Sequence, residues 1–189
     1  MRLDRLPARD DEGLHRVVIE TPQGGRHKLK YEPTLDAVAI DATMPAGMVF
    51  PFDFGFLPRT RAEDGDPLDV LVLMDSPGYP GVVVSVRLLG VIEADQTEAD
   101  GTTVRNDRLV ALAKDSTSRG DLRSLKDIDP TLIDQITAFF HQYNELRGRQ
   151  FRVRAIRGQR RAETIARASG IGAARKRSSR RARGRPAAS

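Results

Sequence analysis

The sequence predicts a mainly β (α+β) fold, a closed barrel or sandwich of short strands with one or two helices packed against it. Short β-type runs follow one another closely, with Gly and Pro between them, which is typical of both architectures. A single later segment has clear helical periodicity. The chain has 189 residues, 39% of them hydrophobic, which is enough for one domain with a normal core.

The predicted strands are apolar or alternating runs bounded by turn residues. They cover residues 16–20, 27–32, 37–41, 69–74, 82–92, 108–113 and 151–156. The run at 69–74 is nearly all apolar, which indicates a strand buried on both faces. Within the long run at 82–92, Gly90 indicates a bend or a bulge.

The helix is predicted from its capping residues and its apolar stripe. Asp129 suits the N-cap and Pro130 the first helical position. Gly148 is placed to end the helix. Between them, apolar residues recur at helical spacing: Leu132, Ile133, Ile136, Phe139, Phe140, Tyr143 and Leu146. Residues 162–168 fit a second, short helix.

Charge divides the chain. Eleven of the 31 Lys and Arg, but only one of the 26 Asp and Glu, lie from Arg157 onward, so that segment carries +10 and residues 1–156 carry −5. We therefore expect an N-terminal arm at 1–13, a folded domain at 14–156 and a basic C-terminal tail at 157–189. Beyond Gly170 the tail has too few apolar residues for burial to offset its ordering entropy, which predicts disorder.

Composition also excludes several classes of protein. There is no cysteine, which excludes disulfides, thiolate zinc sites and cysteine nucleophiles. No apolar run approaches the roughly 20 residues that a membrane span needs. Residues 1–12 are charged and lack the apolar core of a signal peptide. We expect a cytoplasmic protein with no membrane partner.

The most informative stretch is Glu-Asp-Gly-Asp-Pro-Leu-Asp at residues 63–69, which places four acids just before a predicted strand. Gly65 permits a tight turn and Pro67 stiffens it. Carboxylates held this close repel one another unless a cation lies between them, and such oxygen ligands suit Mg²⁺ or Mn²⁺. A solvated acidic turn is the plain alternative. An EF-hand calcium loop is excluded because Asp69 takes the place of its glycine.

The pattern D-x-D-P-x-D at residues 64–69 resembles the signature of the soluble (family I) inorganic pyrophosphatases. Five further segments resemble that family in the same order along the chain: residues 17–22, 30–32, 41–55, 108–112 and 139–143. The resemblance covers about residues 14–156. It implies an OB-like five-stranded β-barrel with helices packed outside, and a homo-oligomer, commonly a hexamer.

The resemblance also implies an activity, the Mg²⁺-dependent hydrolysis of pyrophosphate, or of a related diphosphate, to two phosphates by a metal-activated water. Mn²⁺ is a possible replacement. The implied metal ligands are Asp64, Asp66, Asp69, Asp95 and Asp107. Asp66 would also orient and deprotonate the water. The implied substrate contacts are Lys30, Arg108 and Tyr143, which also serve catalysis, together with Glu20 and Glu32.

The chain departs from the family pattern where the family binds phosphate. The changed positions are Ala42 for an arginine, Phe50 and Phe54 for tyrosines, Asp53 for an asparagine, and Asn144 and Gln150 for lysines. Arg147 and Arg149 lie nearby and carry the same charge. In the family's second acidic cluster, Asn106 falls in the metal-ligand register with Asp107 one residue off.

Two hypotheses follow. The first is an active but divergent pyrophosphatase, and the intact acids Asp64, Asp66 and Asp69 favour it. The second is a catalytically degenerate paralogue that binds phosphate or nucleic acid without turnover. An OB-like barrel and a basic tail favour this alternative, because such a tail can track phosphate backbones non-specifically. A tail that only aids solubility is the plain alternative for residues 157–189.

Overall fold

The computed structural model describes residues 2–171, which form nine strands and two helices. The strands are β1 (His15–Thr21), β2 (His27–Glu32), β3 (Ala37–Thr43), β4 (Asp53–Phe56), β5 (Asp69–Leu73), β6 (Val83–Thr97), β7 (Thr103–Arg105), β8 (Arg108–Ala113) and β9 (Gln150–Gly158). The helices are α1 (Pro130–Glu145) and α2 (Gln159–Ala168). Short 3₁₀ turns lie at Leu3–Arg5 and Leu125–Asp127.

Five strands form a ring in the order β1-β4-β5-β8-β6, and β6 returns to β1. Residues 15–18 of β1 pair with β6, and residues 18–21 of β1 pair with β4. Because β1 divides its length between two neighbours, the ring is not closed as a barrel. The predicted mainly β, OB-like arrangement of five strands is therefore confirmed in this ring-shaped form. β7 and β9 pair with β6, and β2 and β3 form a separate hairpin.

The central strands β5 and β8 lie side by side and run parallel, with Val70 opposite Leu109. Both strands are apolar almost throughout and buried, as expected for parallel strands covered on both faces. Each begins with a charged residue, Asp69 in β5 and Arg108 in β8. The parallel register places these two residues next to each other at one edge of the ring.

Each helix covers one part of the core. The apolar stripe of α1 packs with Phe54 and with one face of the central strands, which includes Leu71 and Val110, as its spacing predicted. The short side chains Ala162 and Ala166 let α2 approach a second cluster that includes Val91 and Leu109. No helix in the described part of the chain is long and apolar enough to cross a membrane.

All seven predicted strands and α1 are present, but two short strands were not predicted. β4 has only four residues, one of which is Gly55, and β7 has only three. Neither sequence is long enough to carry a strong periodic signal. The register of β6 against β8 shifts between Leu88 and Gly90, which confirms the expected bulge. Gly148 has φ 69° just after α1, a conformation that suits glycine at a helix end.

The predicted boundary between domain and tail at residue 156 is wrong for residues 157–168. β9 continues to Gly158, and α2 packs on the fold with Ala162 fully buried. His15 contacts Glu163 of α2 at 3.1 Å and ties the helix to β1. The arginine count misled because those side chains face solvent while the alanines face the core. The disorder predicted beyond Gly170 concerns residues 172–189, which lie outside the described residues.

The close contact of β4 with β1 generates a prediction about stability. A Cβ atom at Gly55 would lie 1.9 Å from the Val18 carbonyl oxygen, a backbone atom that cannot yield alone. We expect Gly55→Ala to lower the free energy of unfolding by about 3 kcal/mol, measured by urea denaturation. Gly158→Ala is the matched control, because no atom lies within 4 Å of its Cβ position. A Gly55→Ala variant as stable as this control would contradict the described β1–β4 pairing.

Candidate active site

A cavity of about 480 Å³ opens at the edge of the ring where β5 and β8 begin. β1, β2, the turn before β5, the β6–β7 region and the end of α1 all contribute to its lining. Eight of the ten residues predicted for the site line it: Glu20, Lys30, Glu32, Asp64, Asp66, Asp69, Arg108 and Tyr143. The structure therefore brings together residues that lie more than a hundred positions apart in sequence.

One side of the cavity, here called the carboxylate wall, consists of Glu20, Asp64, Asp66 and Asp69. Burial, together with the charges of Asp69 and Asp66, raises the pKa of Asp64. Burial also raises the pKa of Glu20, to about 8, although the Tyr31 backbone N–H donates a hydrogen bond to its Oε1 at 2.6 Å. These shifts mean that negative charge on the wall is destabilised until a cation approaches it.

Local geometry in the turn before β5 holds three of these acids. Gly65 has φ 91°, a left-handed conformation that a side chain would strain. The backbone N–H of Asp66 donates to Asp64 Oδ1 at 3.1 Å, and the N–H of Leu68 donates to Thr60 Oγ1 at 2.9 Å. The turn is thus fixed at both ends, and its side chains project into the cavity.

Two cations of the chain already pair with this wall. Lys30 Nζ lies 2.7 Å from Asp66 Oδ2, and an Arg108 guanidinium nitrogen lies 2.6 Å from Asp69 Oδ2. Arg108 is only 6% exposed, and its guanidinium lies 5.1 Å from the centre of the Phe140 ring, with Phe54 and Phe151 also close. Burial among aromatic rings holds Arg108 in one position, whereas Lys30 and Asp66 remain partly exposed.

The facing side of the cavity, here called the amide wall, comes from the β6–β7 region. The Asn106 side-chain N–H donates to Gln96 Oε1 at 3.1 Å, and Gln96 Nε2 donates to Glu98 at 2.6 Å. Asn106 Oδ1 in turn accepts a hydrogen bond from Arg108. Asn106 was recognised in the sequence by its register, but Gln96 and Glu98 were missed. The alternation of side chains along β6 could have identified Gln96. It lies two residues after the buried Ala94, and therefore on the same face of the strand.

The end of α1 completes the cavity with Tyr143, Asn144, Arg147 and Arg149. Tyr143 belongs both to the apolar stripe and to the cavity lining, and its ring stacks on Phe139 with centroids 5.9 Å apart. Asn144 is buried and donates to the Phe140 carbonyl at 2.8 Å, so its side chain serves the helix. Positive charge at this end comes from the two arginines.

Asp95 and Asp107, both predicted as metal ligands, do not line the cavity. Asp95 lies 3.0 Å from the Arg154 guanidinium, and Asp107 pairs with Arg105 and accepts from the Ala94 N–H. Alternation along β6 turns Asp95 away from the face that Ala94 and Gln96 share. We correct the prediction accordingly, because both acids belong to ion pairs on the other side of the sheet.

The carboxylate wall fits a divalent cation by the chemistry of its donors. Its oxygens are the ligands that Mg²⁺ and Mn²⁺ prefer, and they lie beside residues that can bind phosphate. Within residues 2–171, no three His, Asp or Glu side chains already converge as a metal site. Lys30 and Arg108 instead hold carboxylate oxygens of Asp66 and Asp69 in ion pairs. An incoming cation competes with these two side chains.

The cavity combines four carboxylates with basic side chains, a set of groups whose chemistry suits a divalent cation beside a compact phosphate anion. A family model described as inorganic pyrophosphatase matches residues 17–170. An inorganic pyrophosphatase of Nostoc sp. (strain PCC 7120) is 34% identical over 146 residues, which is 77% of this chain and 83% of the relative. One from Thermus thermophilus is 34% identical over 150 residues, 78% of this chain and 82% of the relative.

Solved structures of inorganic pyrophosphatases also match the fold of this chain. The crystal structure of inorganic pyrophosphatase from Thermus thermophilus matches with a TM-score of 0.83 at 31% identity, covering 94% of this chain and 99% of that one. An inorganic pyrophosphatase from Neisseria gonorrhoeae matches with a TM-score of 0.80 at 29% identity, covering 90% and 97%. The chain belongs to the inorganic pyrophosphatase family.

The raised pKa of Glu20 generates a prediction about pH. Its folded pKa, about 8, lies above the ordinary value of 4.5, so the folded state favours the protonated form. The resulting stabilisation is present below pH 4.5 and is lost as pH rises through 8. In chelator, we expect Glu20→Gln to be more stable than the wild type by roughly 5 kcal/mol at pH 9 and by only about 1 kcal/mol at pH 5, measured by urea denaturation. Parallel pH curves for the two proteins would contradict the assignment.

Proposed function

We propose that this chain hydrolyses inorganic pyrophosphate to two phosphates, with Asp66 as the residue that accepts the proton of the attacking water. Membership of the inorganic pyrophosphatase family supports the reaction. The observation that carries the assignment is the cavity itself, which four carboxylates line together with Tyr143, Arg147 and Arg149. A related diphosphate with the same two phosphoryl groups fits the same chemistry.

The oxygen donors of the carboxylate wall indicate which metal the site would bind. Dependence on Mg²⁺ is general in this family, and we propose Mg²⁺ here, with Mn²⁺ as a possible replacement. Asp64, Asp66 and Asp69 would hold it. A cation bound there neutralises phosphate oxygens and lowers the pKa of water. Glu20 would add negative charge behind these ligands once its proton is lost.

The chain's own residues supply the remaining steps. Lys30, released from Asp66, binds phosphate oxygens, and Arg108 offers a planar fork of donors from its fixed position among the rings. The Tyr143 hydroxyl, which has no hydrogen-bond partner in the described part of the chain, donates to a phosphate oxygen. Glu32 lines the cavity near Lys30 and Asp66. The water oxygen bonds to one phosphorus, the bridging P–O bond breaks, and the other phosphate leaves.

Three expectations from the sequence stay predictions. A homo-oligomer and a cytoplasmic location rest on the resemblance and on composition. Binding of nucleic acid was tied to the basic tail, most of which lies outside the described residues, and we do not propose it as the function. The described cavity favours a compact anion over a nucleic-acid strand, because it is enclosed by charged side chains and lacks a row of exposed aromatic rings for stacking.

Turnover of pyrophosphate by an Asp66→Asn variant tests the proposal. Phosphate release in Mg²⁺, and then in Mn²⁺, should fall by at least a hundredfold, because the amide cannot accept the proton. Asp95→Asn is the matched control, since it makes the same chemical change on the other side of the sheet and should keep near wild-type turnover. A folded wild type without turnover in either metal would overturn the function, and an active Asp66→Asn variant would remove Asp66 from its role.

A further inference from the structure

The Arg108 guanidinium forms its hydrogen bonds through a single nitrogen. Its Nη1 lies 2.6 Å from Asp69 Oδ2 and also donates to the side-chain oxygen of Asn106. Within residues 2–171, its buried Nε has no hydrogen-bond partner and its Nη2 makes no hydrogen bond. The backbone carbonyls of Asn106 and Asp107 approach Nη1 only to 3.4 Å. Asp69 and Asn106 therefore share the nitrogen on which the hydrogen bonding of this buried cation depends.

The two acceptors differ in what else they can bind. Asp69 belongs to the carboxylate wall, whose oxygens suit a divalent cation. Asn106 is neutral and 7% exposed, and its oxygen is already used by Arg108, which makes it a poor ligand for a cation. When Asp69 turns to a cation, Asn106 is the side-chain acceptor that remains for Arg108. Without it, a buried guanidinium would lose its last close hydrogen bond.

The orientation of Asn106 is fixed by a chain of hydrogen bonds along the amide wall. Its backbone N–H donates to the Ala94 carbonyl at 2.9 Å, and its side-chain Nδ2 donates to Gln96 Oε1 at 3.1 Å. Gln96 Nε2 donates in turn to Glu98 at 2.6 Å. Arginine can only donate and an ionised carboxylate can only accept, so both amides between Arg108 and Glu98 must point the same way. The Asn106 oxygen is thereby held towards Arg108.

We propose that Asn106 is a positioning residue, which keeps Arg108 in place once Asp69 has turned to a divalent cation. The proposal rests on the proposed function for the role of Arg108 towards phosphate. With Nη1 held by Asn106, the Nη2 group stays available for a phosphate oxygen. A carboxylate at position 106 would hold Arg108 more strongly and would itself attract the cation, so a neutral acceptor suits this role.

The affinity of the full chain for Mg²⁺, measured by calorimetry, tests this role without any turnover. We expect Asn106→Leu to bind Mg²⁺ about tenfold more weakly, because Arg108 then has no side-chain acceptor to replace Asp69. Asn106→Asp should bind Mg²⁺ more tightly than the wild type, because a charged acceptor draws Arg108 away from Asp69. Gln135→Leu is the matched control, since it makes the same amide-to-aliphatic change at an exposed position on α1 outside the cavity. Thermal melts check the fold, and Asn106→Ala replaces a leucine variant that does not fold.

A double-mutant cycle separates positioning of Arg108 from a general structural role of Asn106. Arg108→Met places an apolar side chain among the three surrounding aromatic rings. In that background Asn106→Leu should change Mg²⁺ affinity by less than about twofold, because no guanidinium is left to hold. A tenfold effect that persists without Arg108 would overturn the proposal. So would an Asn106→Leu variant that binds Mg²⁺ as tightly as the control, or a wild type with no Mg²⁺ binding at millimolar concentration.

Turnover of pyrophosphate at saturating Mg²⁺ distinguishes this proposal from the proposed function. We expect kcat to fall about tenfold in Asn106→Leu, and Arg108→Met to show no further loss when Asn106→Leu is added to it. If the two positions are coupled in Mg²⁺ affinity but the wild type does not hydrolyse pyrophosphate, the positioning of Arg108 stands and the proposed function fails.

Discussion

The mutual repulsion of the carboxylates in one cavity is the constraint on which the rest of the site depends. Burial makes that repulsion costly, as the raised pKa values of Glu20 and Asp64 indicate. The chain offsets it with two ion pairs, Lys30 with Asp66 and Arg108 with Asp69. A divalent cation would offset it better, and would free both basic side chains to bind a phosphate. The same interactions therefore stabilise the cation-free protein and prepare it for its ligands.

The pairing of strands in the ring positions the charged groups of the cavity. The parallel register of β5 and β8 places Asp69 beside Arg108, because both residues begin their strands at one edge. Apolar residues fill the remainder of both strands, so that edge is held by a core on either side. Aromatic rings around the Arg108 guanidinium fix its position more firmly than a solvated ion pair would. The positions of Asp69 and Arg108 at the site are therefore set by the packing of the core beneath them.

Much of this could be predicted from the sequence, for identifiable reasons. The acids at 64–69 are local in sequence and carry their own turn residues, so their grouping was visible without a structure. Strong periodicity likewise revealed α1 and the longer strands. Side-chain direction was harder, as Asp95 demonstrates, because a single step along β6 moves a residue from the cavity to the opposite face. The arginines of α2 suggested a tail, since a count of charges does not register two small alanines that pack on the core.

The competition between side-chain cations and the metal is the central claim, and the affinity of the full chain for Mg²⁺ tests it most directly. We predict by calorimetry that Lys30→Met binds Mg²⁺ several-fold more tightly than the wild type, because Asp66 loses its competing partner. Lys126→Met, which removes the same charge from an exposed position outside the cavity, should bind as the wild type does. Unchanged or weaker Mg²⁺ binding in Lys30→Met would contradict the account.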